Sequence, residues 1–429
     1  MANKQEEVIS YIQSNQLDKA DQAFEELLGA LKQSNSQVIA ENGYQFAQLG
    51  MVDYAKRLYN LGKELFPNDE IWAILMGELM VDNGDLEAAL DALLSISSQS
   101  DYYLNSLLLQ ADAYQMLALP EVALAKLTEA AQIAPEEKAI AFGLAELEFD
   151  QGHFQEALPL YKNLLADASG LNDDVLTKIR DHYAYALTWL GDWEAATDLL
   201  EAIPEKDRSI NTKQQLAFNY YQLANYEKAN SIFQQLNEDE QLSDDFLPLF
   251  ATTKMHFYDY EEAKELLQEA IAKNPFHAPN YLQAAEIDEK LGNKESAFKL
   301  LEQAVDLDPD YSLAQLKMLE LAIDQEDYDL ARGLMMDMDR QDFVDPHYAW
   351  LKAKVYQETD IFDQAKSFYN EAYTNLADNL SFIEDYFAFL QEMGDWKKIG
   401  ELLRDHPNYR QAMSLQMIIA RYEELEGDF

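Results

Sequence analysis

An alanine returns along this chain at a nearly fixed interval, and no other feature of the sequence restricts the fold so tightly. Ala20, Ala55, Ala89, Ala123, Ala157, Ala196, Ala229, Ala263, Ala297, Ala331 and Ala365 occupy one column, and Ile399 takes the same place in a twelfth copy. Successive intervals are 35, 34, 34, 34, 39, 33, 34, 34, 34, 34 and 34 residues. Self-similarity at such a period marks an array of small units, each burying its apolar face only against its neighbours.

Two more columns give the unit its shape. Four residues after the alanine stand Phe24, Tyr59, Leu93, Leu127, Tyr161, Leu200, Phe233, Leu267, Leu301, Met335, Tyr369 and Leu403, all large and apolar. Twelve before it stand Gly43, Gly77, Ala111, Ala145, Ala184, Ala217, Ala251, Ala285 and Ala353, all small. Residues four apart share a helix face. The pattern therefore predicts two antiparallel helices whose backbones approach through small residues, with a bulky residue filling the next gap. Asp85, Asp192, Asn225, Asp259, Asn293, Asp327 and Asp395 precede the second helix, where a side-chain oxygen caps free N–H groups. Pro120 falls in a first helical turn, where its missing N–H costs little. Pro67, Pro135, Pro275 and Pro309 close their copies.

This layout resembles the tetratricopeptide repeat family, most clearly in "GYQFAQLGMVDYAKRLYNLGKELFP", "MGELMVDNGDLEAALDALL" and "GNKESAFKLLEQAVDLDP". The resemblance covers about residues 3–405 and implies an all-α fold. That fold is an α-solenoid of about twelve helix–turn–helix repeats plus a C-terminal capping helix, wound as a right-handed superhelix. The closing segment, "YRQAMSLQMIIARYEELEGDF", is similar to the family's capping helix. Ile399 in the alanine column, Lys352 in place of a large apolar residue and Lys254 in place of an aromatic depart from the pattern. The long, acidic, all-repeat layout is also similar to cytoplasmic proteins of low-GC Gram-positive bacteria.

One interval exceeds the period by 39 − 34 = 5 residues, which fall in "ADASGLNDD" (166–174). Repeats 1–5 then occupy 1–168, and repeats 6–12 with the capping helix occupy 169–429. Two readings stay open: a hinge near 166–174, or a longer loop over uninterrupted stacking, since surface loops lengthen at little cost.

Charge narrows the partners. With 79 Asp and Glu against 32 Lys and Arg, the net charge is −47, which repels nucleic acid and anionic lipid. Hydrophobic residues make up 48% of the chain, ample for a core and unlike a disordered acidic tail. There is no cysteine, hence no disulfide or thiolate chemistry. The polar start "MANKQEEVISYIQSNQ" lacks a secretory signal, and "IWAILMGELM" is too short to span a bilayer. A cytoplasmic location follows as the expectation. No phosphate loop, zinc-protease helix or nucleophile elbow occurs, the six histidines are scattered, and "DLDPDYS" lacks the glycine of a calcium loop. Catalytic residues, metal and cofactor are all expected to be absent, so the chain reads as no enzyme.

The resemblance implies that function lies on the concave face, lined by the first helix of each repeat. Eleven residues before the alanine stand Tyr44, Glu78, Asp112, Glu146, Tyr185 and Phe218. Seven before it stand Asp82, Asp150 and Trp189, and eight before it Phe149 and Tyr221. Glu78, Asp112 and Glu146 form an acidic ladder in three consecutive repeats. Neighbouring like charges about 8–10 Å apart repel by roughly 0.4–1.7 kcal/mol, which a cationic ligand would relieve. Phe149, Tyr185, Trp189, Phe218 and Tyr221 form an aromatic group beside it, and exposed aromatics anchor interfaces. The competing explanation is composition: in so acidic a chain any column is partly acidic, and solenoid aromatics also pack between repeats. The family's clamp for a C-terminal carboxylate, made of Lys with Asn or Arg, is missing, because the corresponding places hold Tyr44, Glu78, Asp112 and Glu146.

The leading functional expectation is a non-catalytic protein–protein scaffold that binds a basic or apolar-aromatic segment of a partner in its concave groove. The alternative is an intracellular receptor for short signalling peptides, although the first repeat begins almost at residue 1 and leaves no room ahead of it for an output module. Replacing Ala229 or Ala297 by Leu should overpack its helix pair and cost about 1–3 kcal/mol. Thermal unfolding of the two variants checks this, and unchanged transitions would mean the repeat register is misassigned.

Overall fold

In a computed structural model that describes residues 2–427, the chain is built of 25 α-helices and four short 3-10 turns, with no strand among the described residues. The helices are numbered α1 to α25 in chain order. Two compact units are present, residues 1–223 and 224–429. The first runs from α1 (Ala2–Gln13) to α13 (Ile210–Gln222), and the second from α14 (Tyr226–Glu238) to α25 (Gln416–Gly427). Within each unit consecutive helices pack as neighbours, as in an α-solenoid.

The three columns interlock as their sizes require. All eleven column alanines and Ile399 are buried, none more than 1% exposed. The bulky residue four later lies over the small residue twelve earlier in the same repeat. A Cβ added to Gly43 would stand 2.3 Å from the Tyr59 ring, and one added to Gly77 would stand 2.4 Å from Leu93. The small column is thus emptied by the large one, at interior packing density. The same logic joins repeats, since Gly62 leaves room for the buried ring of Trp72 at the start of the next copy.

Each first helix ends in the same way. The residue five before the column alanine has positive φ in all twelve copies, from Asn15 at 56° to Gly394 at 68°. Around Gly50, its own N–H donates to the Ala47 carbonyl (2.8 Å) and the N–H of Met51 to the Phe46 carbonyl (2.9 Å). This is the paired closure that satisfies the orphan carbonyls of a helix end. Six of the seven expected caps then start the second helix: Asp85, Asp192, Asn225, Asp259, Asp327 and Asp395 each accept from the backbone N–H three residues on. Asn293 does not. Its amide is drawn instead towards the buried carboxylate of Asp288 (3.4 Å), which Lys264 and Ser296 also reach.

The five extra residues near 166–174 mostly lengthen a helix. The first helices α1, α3 (Ser36–Gln48), α5 (Ile71–Asp82), α7 (Tyr103–Met116), α9 (Lys138–Asp150) and α13 have 12 to 14 residues, whereas α11 (Asp173–Trp189) has 17. The remaining linker is tied down. Lys138 pairs with Asp167 (2.8 Å) and donates to the Ser169 carbonyl (2.7 Å), and Asn172 caps α11. The Lys138 and Ser169 hydrogen bonds hold the Asp167 carboxyl down to about 2. Tyr161 and Leu164 of α10 (Phe154–Ala166) share one apolar cluster with Ile179 of α11.

The pattern's exceptions carry their own partners. Lys254 is buried but reaches Glu262 and Gln234, both at 2.8 Å, and lies over the Phe250 ring. Lys352 pairs with Asp339 (2.8 Å) and lies over the Phe368 ring. At the end of the second unit, α25 covers the last repeat through Ile419 and Tyr422, and Gly400 makes room for the Tyr422 hydroxyl.

One substitution should have opposite signs at different glycines. Gly333 sits inside α20 (Tyr328–Arg340) with open space around a future Cβ, so Gly333→Ala should stabilise by about 0.5–1 kcal/mol. Gly84 sits at φ 78°, so Gly84→Ala should destabilise by about 1–2 kcal/mol. Denaturant unfolding of both variants checks the pair.

Candidate first-helix interface

Within the first unit, first helix α3 contacts α5, α5 contacts α7, and α11 contacts α13. Glu78 stands on α5, half-buried, and Asp112 on α7, exposed. Asp82 and Asp150 are exposed at the ends of α5 and α9. Among the described residues, Glu78, Asp82 and Asp112 form no hydrogen bond or ion pair. Burial raises the carboxyl of Glu78, with the charge of Asp82 adding to it, and burial alone raises that of Asp112. Glu78 is thus held in a place that disfavours its charge, whereas at the exposed Asp112 water screens most of that effect.

Glu146 is different, and the expected repulsive ladder stops short of it. Lys178 Nζ lies 2.5 Å from one of its oxygens, and His182 Nδ1 lies 2.9 Å and the Tyr161 hydroxyl 2.7 Å from the other. Burial pushes its carboxyl up, but these three hydrogen bonds outweigh burial and hold it below the ordinary range. The protein's own side chains already compensate this charge.

The aromatic group is real in part. Phe149 stacks on His182 (4.3 Å, 8° between planes) and meets Tyr185 edge-on at 5.4 Å. Phe154 bridges Tyr185 (5.8 Å) and Trp189 (5.9 Å). Trp189 remains 65% exposed and Tyr185 43%, so packing between repeats uses one side of each ring and leaves the other to solvent. Phe218 is half-buried on α13 and makes no ring contact with this group among the described residues. Tyr221, near the end of α13, is half-buried.

Column arithmetic missed three participants. Phe154 stands three before the alanine and stacks on the residue seven before the next one. Lys178 and His182 reach diagonally from the following repeat. An open cleft of about 460 Å³ between α3, α5 and the start of α7 is lined by Ala40, Tyr44, Ile71, Leu75, Asp69 and Tyr102. Its signal in the sequence was Ala40 one turn before the exposed Tyr44.

On the corresponding face of the second unit some charges are paired internally, while Glu286, eleven before Ala297, forms no ion pair among the described residues and is raised by burial as Glu78 is. Lys317 sits between Glu289 (3.1 Å) and Glu320 (3.2 Å). Asp385 takes both Lys354 (3.2 Å) and the Trp350 indole N–H (3.0 Å). Among the described residues no group of acids and histidines is arranged to hold a metal ion, and no helix is long and apolar enough to cross a membrane.

Family comparisons agree with this architecture. A general tetratricopeptide repeat model matches residues 148–214 and 292–355. Models of YpiA-like tetratricopeptide repeats match 115–168, and of their C-terminal repeats 346–406. The chain is a tetratricopeptide repeat protein. It is similar to the TPR repeat-containing protein YpiA of Bacillus subtilis (strain 168), 28% identical over 402 residues, or 93% of each chain. Among solved structures, PilF of Pseudomonas aeruginosa is 16% identical with a TM-score of 0.42, the match covering 50% of this chain and 97% of that one. A tetratricopeptide repeat protein of Parabacteroides merdae is 17% identical with a TM-score of 0.40, covering 59% and 98%.

Position eleven before the alanine should therefore respond unequally in the third and fifth tetratricopeptide repeats. Glu146→Gln removes the charge that Lys178 and His182 meet, and leaves one amide oxygen to accept where the carboxylate accepted three bonds, so it should cost about 1–3 kcal/mol at neutral pH. Glu78→Gln should stay within about 0.5 kcal/mol of the parent. The Glu146 carboxyl is lowered on folding, so its contribution is full above its unfolded value and fades as pH falls through the folded one. The gap between parent and Glu146→Gln should accordingly shrink below about pH 4, as read by thermal melts across pH.

Proposed function

We propose that this protein is a non-catalytic scaffold whose first unit holds a segment of a partner protein on its first-helix face. Cationic groups of the partner sit against Glu78 and Asp112, with Asp82 and Asp150 at the rim. An apolar or aromatic group sits against Tyr185 and Trp189, with Phe149 behind them and Phe218 and Tyr221 on the next first helix. Glu146 takes the role of a positioning residue, holding His182 against Phe149. Tetratricopeptide proteins generally mediate protein–protein interaction and are typically not enzymes, which supports the coarse reading.

The observation that carries the finer one is the state of the charges. Glu78 and Asp112 form no ion pair among the described residues and Glu78 is partly desolvated, while Glu146, at the same offset two repeats on from Glu78, is matched internally. A partner cation would supply the missing counter-charge, and the net charge of −47 would speed its encounter. A cytoplasmic location belongs to this reading.

The test begins with a pull-down of the intact protein from its native cell. One stoichiometric protein partner supports the scaffold, and a bound short peptide without one would point to a receptor. With the partner in hand, Glu78→Gln with Asp112→Asn should slow association and flatten its salt dependence. Trp189→Ala should speed dissociation about tenfold or more, as loss of an interface anchor does. Unchanged affinity and salt slope in the double variant would remove the acidic pair from the interface.

A further inference from the structure

The eighth repeat departs from the others in the residues at its turn. In the three positions that end the first helix and make the turn it carries His256, Phe257 and Tyr258. In the other eleven copies these positions hold one aromatic residue in all, Trp189. Tyr258 takes the left-handed position at φ 62°, where six other copies hold glycine and five hold Asn15, Ala118, Ala224, Glu326 or Asp360, so it is the one bulky ring at that place. That conformation costs a residue with a Cβ about 1–2 kcal/mol.

Packing accounts for one ring of the three. His256 stacks on Tyr226 at 3.6 Å, as Trp189 stacks on Phe154 in the sixth repeat. Tyr258 is 79% exposed, and among the described residues its one ring neighbour is Tyr260, met edge-on at 6.2 Å. Phe257 is exposed as well. A bulky ring held in solvent by a strained backbone serves nothing within the fold, and such strain gathers where a surface is used. The flanking charges have one sign: Asp259 and Glu261 are exposed, and Lys254 is buried against Glu262.

We infer that this turn of the second unit is a docking surface for an arginine-bearing segment of a partner protein. The guanidinium stacks on the open faces of Tyr258 and Phe257, and Asp259 and Glu261 supply the opposing charge. Arginine fits better than lysine because its planar, weakly hydrated head stacks on rings while keeping its donors for carboxylates. The inference uses none of the residues proposed for the first unit and stands or falls separately.

The probe is a labelled peptide of three Gly-Ser-Arg triplets, blocked at both ends, with a Gly-Ser-Lys counterpart, titrated onto the full chain by fluorescence anisotropy. Tyr258→Gly and Tyr258→Asn both remove the ring and both suit the left-handed position. Each should melt no lower than the parent and bind the arginine peptide about fivefold or more weakly. The parent should prefer arginine to lysine and keep that preference at about 0.5 M salt, where diffuse attraction is screened. Binding by both variants within about twofold of the parent would overturn the proposal. So would equal binding of the two peptides that vanishes in salt, the signature of an acidic surface alone, or failure of the parent to bind the arginine peptide.

Discussion

One steric relation, repeated along the chain, supports everything else. A residue with little or no side chain lies beneath a bulky one sixteen positions later, and a buried alanine between them lets the two helices close. Gly43 under Tyr59 and Gly77 under Leu93 show it with the least slack, since no Cβ fits at either glycine. Because the relation is internal to each repeat, the core is a series of similar local solutions rather than one large one. The positions eleven and seven before the alanine take no part in it. They are free to vary, and they do: tyrosine, glutamate, aspartate, phenylalanine and lysine all occur there on the same backbone. Function can therefore be written on this fold without disturbing what holds it together.

The period made the architecture legible. Helix pairs, caps and closing prolines follow from residues at fixed offsets, and local hydrogen bonding enforces them. Reading by offset fails where a partner comes from elsewhere. Asn293 has the right offset for a cap, but a buried acid five residues earlier claims its amide. Glu146 has the same offset as Glu78, yet two of its donors come from residues 178 and 182, one repeat on and two turns and one turn before its own column. A column shows what stands beside a residue in the next repeat, not what crosses diagonally to it. The five extra residues were visible as an insertion, while their use as a further helical turn in α11 depended on Asn172 capping and on Lys138 holding the linker.

Electrostatics, rather than shape, separates one part of the first-helix face from another. In so acidic a chain a carboxylate says little by itself, and its pairing says much. Lysines are scarce, and those at Lys178, Lys317 and Lys354 are spent on acids of their own unit. Glu78 and Asp112 are left out of that distribution, and at the half-buried Glu78, as at Glu286 in the second unit, burial already disfavours the charge. Two repeats further on, Trp189 and Tyr185 are fixed on one side by Phe154 and open on the other.

The most direct measurement places a photo-crosslinking amino acid at Tyr185, at Asp112 and, as a control, at Thr128 on the exposed side of a second helix, and irradiates the native cell. The account predicts one discrete adduct of the same partner from positions 185 and 112 and none from position 128. A partner captured from position 128 and from neither of the others would contradict it.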